Sequence, residues 1–323
     1  RILLVLGVDL SHYNFGTALR LQDVNVLAVG VQDQRSWTAK RIVTFFRKRV
    51  LNFCKVDYAV TDGGPSLVKA MKVLRLERVD DISHAVARHL KARHVKREDY
   101  QALIKGSTHF RRYNTLTKSC RLRPPQLRGT ARFMNITPLA RWACEVLDWM
   151  AATPGTLYRN LVCDAQIRQK FEWLLPLQDY VRHLDAQCQG LRLVEKVLKQ
   201  YGVGRHTLIW WRRQNQRRIE LRKLDQSSRL MVQEYLDHQV DIARRVGRYQ
   251  VLCSTDLVES SFGRFKHRST KHPKMSKSCL RIATYGQPIL EGRAIAEIME
   301  SHTMEKVTKY IQEELFFQQK VPL

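Results

Sequence analysis

The sequence lacks the patterns of several common protein classes. Its seven cysteines form no C-x-x-C pair, and none lies at zinc-finger spacing from histidines. We therefore expect free thiols in a reducing cell interior. No apolar run reaches the length of a membrane span, and no signal peptide is visible. No G-x-S-x-G motif or coherent Cys–His pattern supports a serine or cysteine hydrolase. We expect a cytoplasmic or nucleoid protein, or a nuclear one in a eukaryote, with no membrane partner.

Acidic residues are also scarce. The 323 residues include 56 Lys and Arg but only 30 Asp and Glu, which gives a formal net charge of +26. This excess is spread along the whole chain and favours a polyanionic partner, above all nucleic acid. The chain begins at Arg1, at the edge of an apolar segment and without an initiator methionine, so we expect a fragment of a longer protein.

The first part of the chain alternates strand and helix patterns. Residues 1–10 form an apolar run typical of a strand buried on both faces, and residues 56–60 form a second such strand. Between them the pattern predicts strands at 17–21 and 24–32 and a helix at 36–53. A mixed sheet flanked by helices is therefore expected.

The middle of the chain has a different character. Residues 105–132 carry many basic residues, no acidic one and the pair Pro124-Pro125, which predicts an exposed basic loop. Thr137-Pro138 predicts a helix start, and further helices are expected at 165–172, 178–201 and 213–249. The predicted domains are a sheet core at 1–92, an α-helical insertion with a basic loop at 93–248, the second part of the core at 249–287 and a C-terminal helix at 288–323.

Two aspartates follow predicted central strands. Asp9 ends the first strand, and Asp62 precedes Gly63-Gly64-Pro65, which permits a sharp turn into a helix. If the two strands are neighbours, the carboxylates face each other across roughly 5 Å, and a Mg²⁺ ion would relieve their repulsion. The alternative is that Asp62 only caps the helix that follows.

A third carboxylate lies in a helix predicted after residue 253. Val258, Phe262 and Phe265 share a face that would dock on the sheet. Glu259 and Lys266 lie on the adjacent stripe, so Glu259 could complete a site for two Mg²⁺ or Mn²⁺ ions while Lys266 contacts phosphate. Alternatively, Asp256 and Glu259 form a capping box.

Asp9, Asp62, Glu259 and the trailing Lys266 resemble the catalytic triad and lysine of DDE transposases and retroviral integrases. Asp81-Ile-Ser-His84 resembles the [C/D]-x-x-H signature of transposases that carry a long helical insertion before the glutamate, such as the Mutator and hAT groups. The whole pattern is similar to the insertion-sequence or Mutator-like type. The resemblance spans about residues 2–266. It implies an α/β, ribonuclease H-like mixed sheet flanked by helices and interrupted by a large all-α insertion.

The resemblance also implies a function. Asp9, Asp62 and Glu259 would hold the metal ions for cleavage at transposon ends and for transfer of the freed 3′ hydroxyl to target DNA, on a homodimer or a higher oligomer. Asp23 and Asp33 are alternatives for the first acid, and Asp256 is an alternative for the third. Asp81 and His84 could instead be an ordinary cap and first-turn histidine.

Basic residues near these positions are candidate DNA contacts. One group follows Glu259 and the other lies in the predicted insertion: Arg264, Lys266 and Arg268; and Trp211, Arg212 and Arg213. Trp210 or Trp211 could stabilise a flipped base, although at least one is expected to be core. A structure-specific nuclease of the same fold and a non-catalytic DNA-binding derivative remain alternative functions.

Overall fold

The computed structural model describes residues 2–31, 36–114, 118–126, 136–152, 157–158, 161–162 and 165–268. The chain divides into two compact units, Arg1–Asp81 with Leu252–Leu323 and Ile82–Val251. The predicted insertion, 93–248, lies within the span of the second unit. The predicted C-terminal helix at 288–323 and the part of the predicted core after 268 lie outside the described residues.

The chain has a mixed α/β architecture in which helices predominate. The strands are β1 (Ile2–Gly7), β2 (Asn25–Val31), β3 (Tyr58–Thr61), β4 (Glu77–Asp80), β5 (Leu157–Tyr158), β6 (Leu161–Val162), β7 (Val203–Gly204) and β8 (Gln250–Val251). The α-helices are α1 (Ala39–Phe46), α2 (Pro65–Leu74), α3 (Ile82–His94), α4 (Glu98–Tyr113), α5 (Ile136–Ala151), α6 (Ala165–Gln169), α7 (Gln178–Tyr201), α8 (Arg205–Gln214), α9 (Ile219–Arg222), α10 (Gln226–Arg245) and α11 (Asp256–Arg268).

The first unit contains two strand pairs. β1 and β2 are antiparallel, whereas β3 and β4 are parallel. Within the described ranges β1 and β3 are not hydrogen-bonded to each other, so the expected neighbour relation of these strands is absent. The predicted strand at 17–21 is also wrong. The chain forms a 3-10 turn at Leu21–Asp23, because the Asp23 carboxylate accepts a hydrogen bond from the Arg20 amide at 2.7 Å and stabilises the turn.

Strand β1 packs on both of its faces, as its apolar run predicts. Leu3 and Val5 pack against a cluster built mainly from α1, the π-helical turn Arg47–Leu51 that follows it, and α2. Leu4, on the opposite face, is buried at the centre of a second cluster that includes Val258 and Phe262 of α11. Because side chains alternate along a strand, this one strand joins helices on both sides of the sheet.

The second unit is mainly helical. The predicted exposed basic loop at 105–132 is wrong in its first part, because residues 105–113 belong to α4 and Phe110 is buried there. The core of this unit surrounds the fully buried Phe171, whose ring stacks on Phe110 at 4.4 Å and meets the Trp142 and Trp149 rings at about 6 Å. The helix predicted at 178–201 is confirmed as α7.

The single long helix predicted at 213–249 is wrong. The chain there forms the end of α8, then α9 and α10. Asp225 causes the last break: its side chain accepts a hydrogen bond from the Ser228 amide at 2.7 Å and caps a new helix. In the part of the chain that the structure describes, no helix is long and apolar enough to cross a membrane.

Candidate functional site

Asp62 directly follows β3 and is exposed. Its Oδ1 accepts a hydrogen bond from the Gly64 amide at 2.9 Å, and Gly63 turns the chain with a φ of 78°. Gly64, not Asp62, is the N-cap of α2, with Pro65 in the first turn. Asp62 therefore shapes the turn before the helix, and the alternative that it caps the helix directly is wrong.

Gly64 approaches this carboxylate closely. A methyl group at Gly64 would lie 3.2 Å from Asp62 Oδ1. The glycine at this position therefore allows the carboxylate to stay in contact with the turn.

Asp9 lies two residues beyond the end of β1 and is also exposed. Its Oδ1 accepts hydrogen bonds from the Ser11 amide at 2.9 Å and the Ser11 hydroxyl at 2.7 Å. The His12 ring lies 3.9 Å from Oδ2. Asp9 thus opens a turn after β1 and presents its carboxylate to solvent, as expected for a residue at a strand end.

The carboxyl ends of β3 and β4 lie at one edge. Thr61 pairs with Asp80, and the Asp81 amide donates to the Thr61 carbonyl at 2.9 Å, which extends the parallel ladder by one residue. Arg78 forms a bidentate ion pair with Asp80, with Nη2 to Oδ2 at 3.1 Å. Asp62 and Asp81 therefore follow neighbouring strands at the same edge of the sheet.

The buried Asp81 carboxylate attaches the last described helix to this edge. It is 1% exposed and its Oδ2 accepts two hydrogen bonds from Thr255, from the amide at 2.6 Å and from the hydroxyl at 2.9 Å. Thr255 immediately precedes α11, and its carbonyl accepts from the amides of Val258 and Glu259. One carboxylate therefore fixes the start of the helix that carries Glu259.

A second contact holds the same segment against β3. The Leu252 amide donates to the Tyr58 hydroxyl at 2.9 Å, and Leu252 and Cys253 are buried. The predictions missed Tyr58 and Thr255 as positioning residues. The threonine directly before a predicted helix was the available signal, but its partner lies 174 positions away in the sequence.

Helix α11 docks as the apolar stripe predicts. Val258 and Phe262 pack on the β1–β2 pair, which confirms the expectation for these two residues, whereas the side chain of Phe265 lies outside the described part of the structure. Glu259 lies on the adjacent stripe and is exposed. A methyl group at Gly263, one turn further, would meet no atom within 4 Å. The helix begins at Asp256, so the N-cap position belongs to Thr255. The alternative capping box, in which Asp256 is the N-cap, is therefore wrong.

The three predicted metal ligands all belong to the first unit. Their carboxylate oxygens are the donor type that Mg²⁺ prefers. Among the described residues, however, no three His, Cys, Asp or Glu side chains lie close enough to hold one metal ion together. Asp9, Asp62 and Glu259 are therefore exposed at strand ends and on α11, but they are not gathered as a ligand group. Of the alternatives, Asp23 belongs to the 3-10 turn after β1, and Asp33 lies outside the described residues.

The predicted signature pair has two different environments. Asp81 contacts Thr255, whereas His84 lies half-buried in the first turn of α3. Asp81 is thus more than an ordinary cap, because its side chain reaches a residue far away in the sequence.

The predicted DNA contacts also differ among themselves. Arg264, Arg212 and Arg213 are exposed, while the side chains of Lys266 and Arg268 lie outside the described part of the structure. Trp211 is 1% exposed, so the prediction that it contacts DNA is wrong: its indole belongs to the helical core and presents no face for stacking. Trp210 is half-buried and is the indole of this pair that reaches the surface.

Comparison with known proteins gives no independent assignment. No protein-family model matches the sequence. No curated protein matches it either.

Proposed function

We propose that this chain is the catalytic part of a DDE transposase with a ribonuclease H-like core and an all-α insertion. It would cleave DNA at transposon ends and join the freed 3′ hydroxyl to target DNA. The observation that carries the proposal is the Asp81–Thr255 contact, which attaches the glutamate-bearing helix to the edge where Asp62 follows β3.

The surrounding geometry supports this reading. In an α/β sheet, functional sites are built beyond the carboxyl ends of the strands. Asp9 and Asp62 follow such ends, and α11 packs on β1 through Val258 and Phe262. This packing leaves Glu259 exposed on the neighbouring stripe of the helix.

Asp9, Asp62 and Glu259 are the residues that would hold one or two Mg²⁺ or Mn²⁺ ions. When bound, such ions activate a water molecule and stabilise the leaving oxygen of a phosphodiester. Because the three carboxylates are not gathered as a ligand group in the structure, the proposal requires that they approach one another when DNA and metal bind. All three carboxylates are exposed and therefore accessible to metal ions.

The partner in this proposal is DNA. A net charge of +26 favours a polyanion, and Arg264 is exposed on α11 one turn and a residue beyond Glu259, with Lys266 following. Because two transposon ends must be held together, we further propose a homodimer or higher oligomer on DNA, in the nucleoid, cytoplasm or nucleus.

Nicking of a supercoiled plasmid tests the proposal. The parent protein is expected to nick or join plasmid DNA in Mg²⁺ or Mn²⁺, and Asp62→Asn is expected to lose this activity. Asp57→Asn is the matched control, because it removes the same charge just before the other end of β3 and is expected to stay active. DNA binding by the parent without metal-dependent cutting would favour a non-catalytic binding protein. Cutting without any joining would favour a nuclease of the same fold.

A further inference from the structure

The second unit contains a groove between two helices that the proposed catalytic residues do not use. The groove lies between α8 and α10 and has a volume of about 610 Å³. Its walls combine three arginines, two aspartates and three aliphatic side chains: Arg205, Arg212, Arg244, Asp237, Asp241, Leu208, Ile209 and Val240. Five of these eight side chains are charged, so the groove suits a charged ligand better than an apolar one.

The charges in the groove are unevenly distributed. At one end, Arg212 lies 3.8 Å from Asp237. Asp241 is ion-paired with Arg245. Arg205 and Arg244 are both exposed, and neither makes an ion pair with another residue in the described ranges. The uncompensated positive charge of the groove therefore belongs to these two arginines.

The local topology brings Arg205 and Arg244 to the same end. Gly204, just before α8, pairs with Gln250, just beyond α10, while Arg212 near the other end of α8 reaches Asp237. The two helices are thus antiparallel along the groove, and seven residues of helix separate its two ends by about 10 Å. The amino terminus of α8, with its partial positive charge, lies at the Arg205 end.

The floor of the groove is aliphatic. Ile209 is 39% exposed between the arginines at the two ends of α8. Arginine guanidinium groups bind phosphate with planar, paired hydrogen bonds, and an aliphatic floor suits the carbon faces of the sugars between phosphates. Arg205 and Arg244 line the same groove, so a phosphate bound there would be attracted by both positive charges.

We propose that the α8–α10 groove binds the phosphate backbone of duplex DNA, with Arg205 and Arg244 as the phosphate-contacting residues. This inference rests on the proposed function for the identity of the partner. It adds a second DNA-binding surface that is separate in sequence from the carboxylates of the first unit, and it assigns contact roles to two residues that the sequence did not single out.

The test measures affinity for a fluorescent DNA duplex as a function of salt concentration. The double variant Arg205→Gln/Arg244→Gln is compared with the parent and with Arg192→Gln/Lys196→Gln. This control removes the same two charges from exposed positions on α7 that do not line the groove. Each lost phosphate contact lowers the slope of log K against log salt by about 0.9, so we expect the groove variant to lose about 1.8 in slope and the control to keep the slope of the parent.

The outcomes separate this inference from the proposed function. A groove variant that binds with the same affinity and slope as the control overturns the groove assignment and leaves the catalytic proposal intact. A parent protein that binds duplex DNA through the groove arginines but never cuts it supports the groove and overturns the catalytic proposal. A parent that does not bind DNA overturns both. Thermal melting of both double variants checks that each is folded.

Discussion

Replacing Asp81 by alanine should release the start of α11 from the sheet edge. The substitution removes two hydrogen bonds that Thr255 donates to a carboxylate that is 1% exposed. Hydrogen bonds to a charged group contribute about 1.5–3 kcal/mol each, so the local loss of two should be at least about 3 kcal/mol. Because every 1.4 kcal/mol changes an equilibrium tenfold, the helix start should open at least about a hundredfold more often.

Hydrogen exchange measures this opening at defined amides. Val258 and Glu259 donate to the Thr255 carbonyl, so their amides report on the first turn of α11. We expect both to exchange much faster in Asp81→Ala and to show a smaller increase in Asp81→Asn, since the amide oxygen can still accept. Asp80→Asn is the control, because the neighbouring carboxylate pairs with Arg78. Unchanged exchange in Asp81→Ala, or an equal increase in Asp80→Asn, would refute the positioning role.

Three further predictions follow from burial and local geometry. Burial, and to a lesser extent the positive charges of neighbouring arginines, lowers the pKa of His94 to about 4. Because the unfolded state binds the proton more readily, the free energy of unfolding should fall as pH drops from about 6.5 to 4. Urea unfolding of His94→Gln should show a weaker pH dependence than that of the parent. Gly263→Ala should stabilise α11 by up to about 1 kcal/mol, measured by thermal melting, because the added methyl group meets open space; a lower melting temperature would contradict this. Trp211→Ala should destabilise the protein by about 3–5 kcal/mol in urea unfolding, because the indole is buried. A loss of DNA binding at unchanged stability would contradict this and show that Trp211 contacts DNA.

Local patterns predicted those elements whose buried faces follow from apolar periodicity. The apolar run of β1 predicted a strand packed on both faces, and the spacing of Val258 and Phe262 predicted the docking face of α11. The helix α7 was predicted with its observed ends. In each case the apolar periodicity alone defines which side chains are buried.

Single polar contacts explain most of the differences. The Asp23 carboxylate converts a predicted strand end into a 3-10 turn, and Asp225 starts a new helix within a continuous helical pattern. Aspartate favours such local hydrogen bonds to the backbone, but the apolar pattern around each aspartate does not predict which backbone amide it will bind. The burial of Trp211 depends on packing between helices distant in sequence, which no local pattern encodes.

In the candidate site, too, the sequence indicated some residues but not the contact between distant ones. The sequence indicated Asp9 and Asp62 at strand ends, and both are found there as exposed residues. The contact between Asp81 and Thr255 joins residues 174 positions apart. Its existence follows only from the way the chain returns to the sheet edge, so it could not be predicted from motif spacing.

The most direct test of metal coordination by Asp62 is a change of metal preference. Thiolate is a softer ligand than carboxylate and binds Mg²⁺ poorly, so Asp62→Cys should lose plasmid nicking in Mg²⁺ and regain part of it in Mn²⁺. Asp57→Cys, with the same substitution just before the other end of β3, should behave like the parent in both metals. Nicking by Asp62→Cys in Mg²⁺ at the rate of the parent, or nicking by the parent in the presence of a chelator, would contradict the proposal that Asp62 holds a catalytic metal ion.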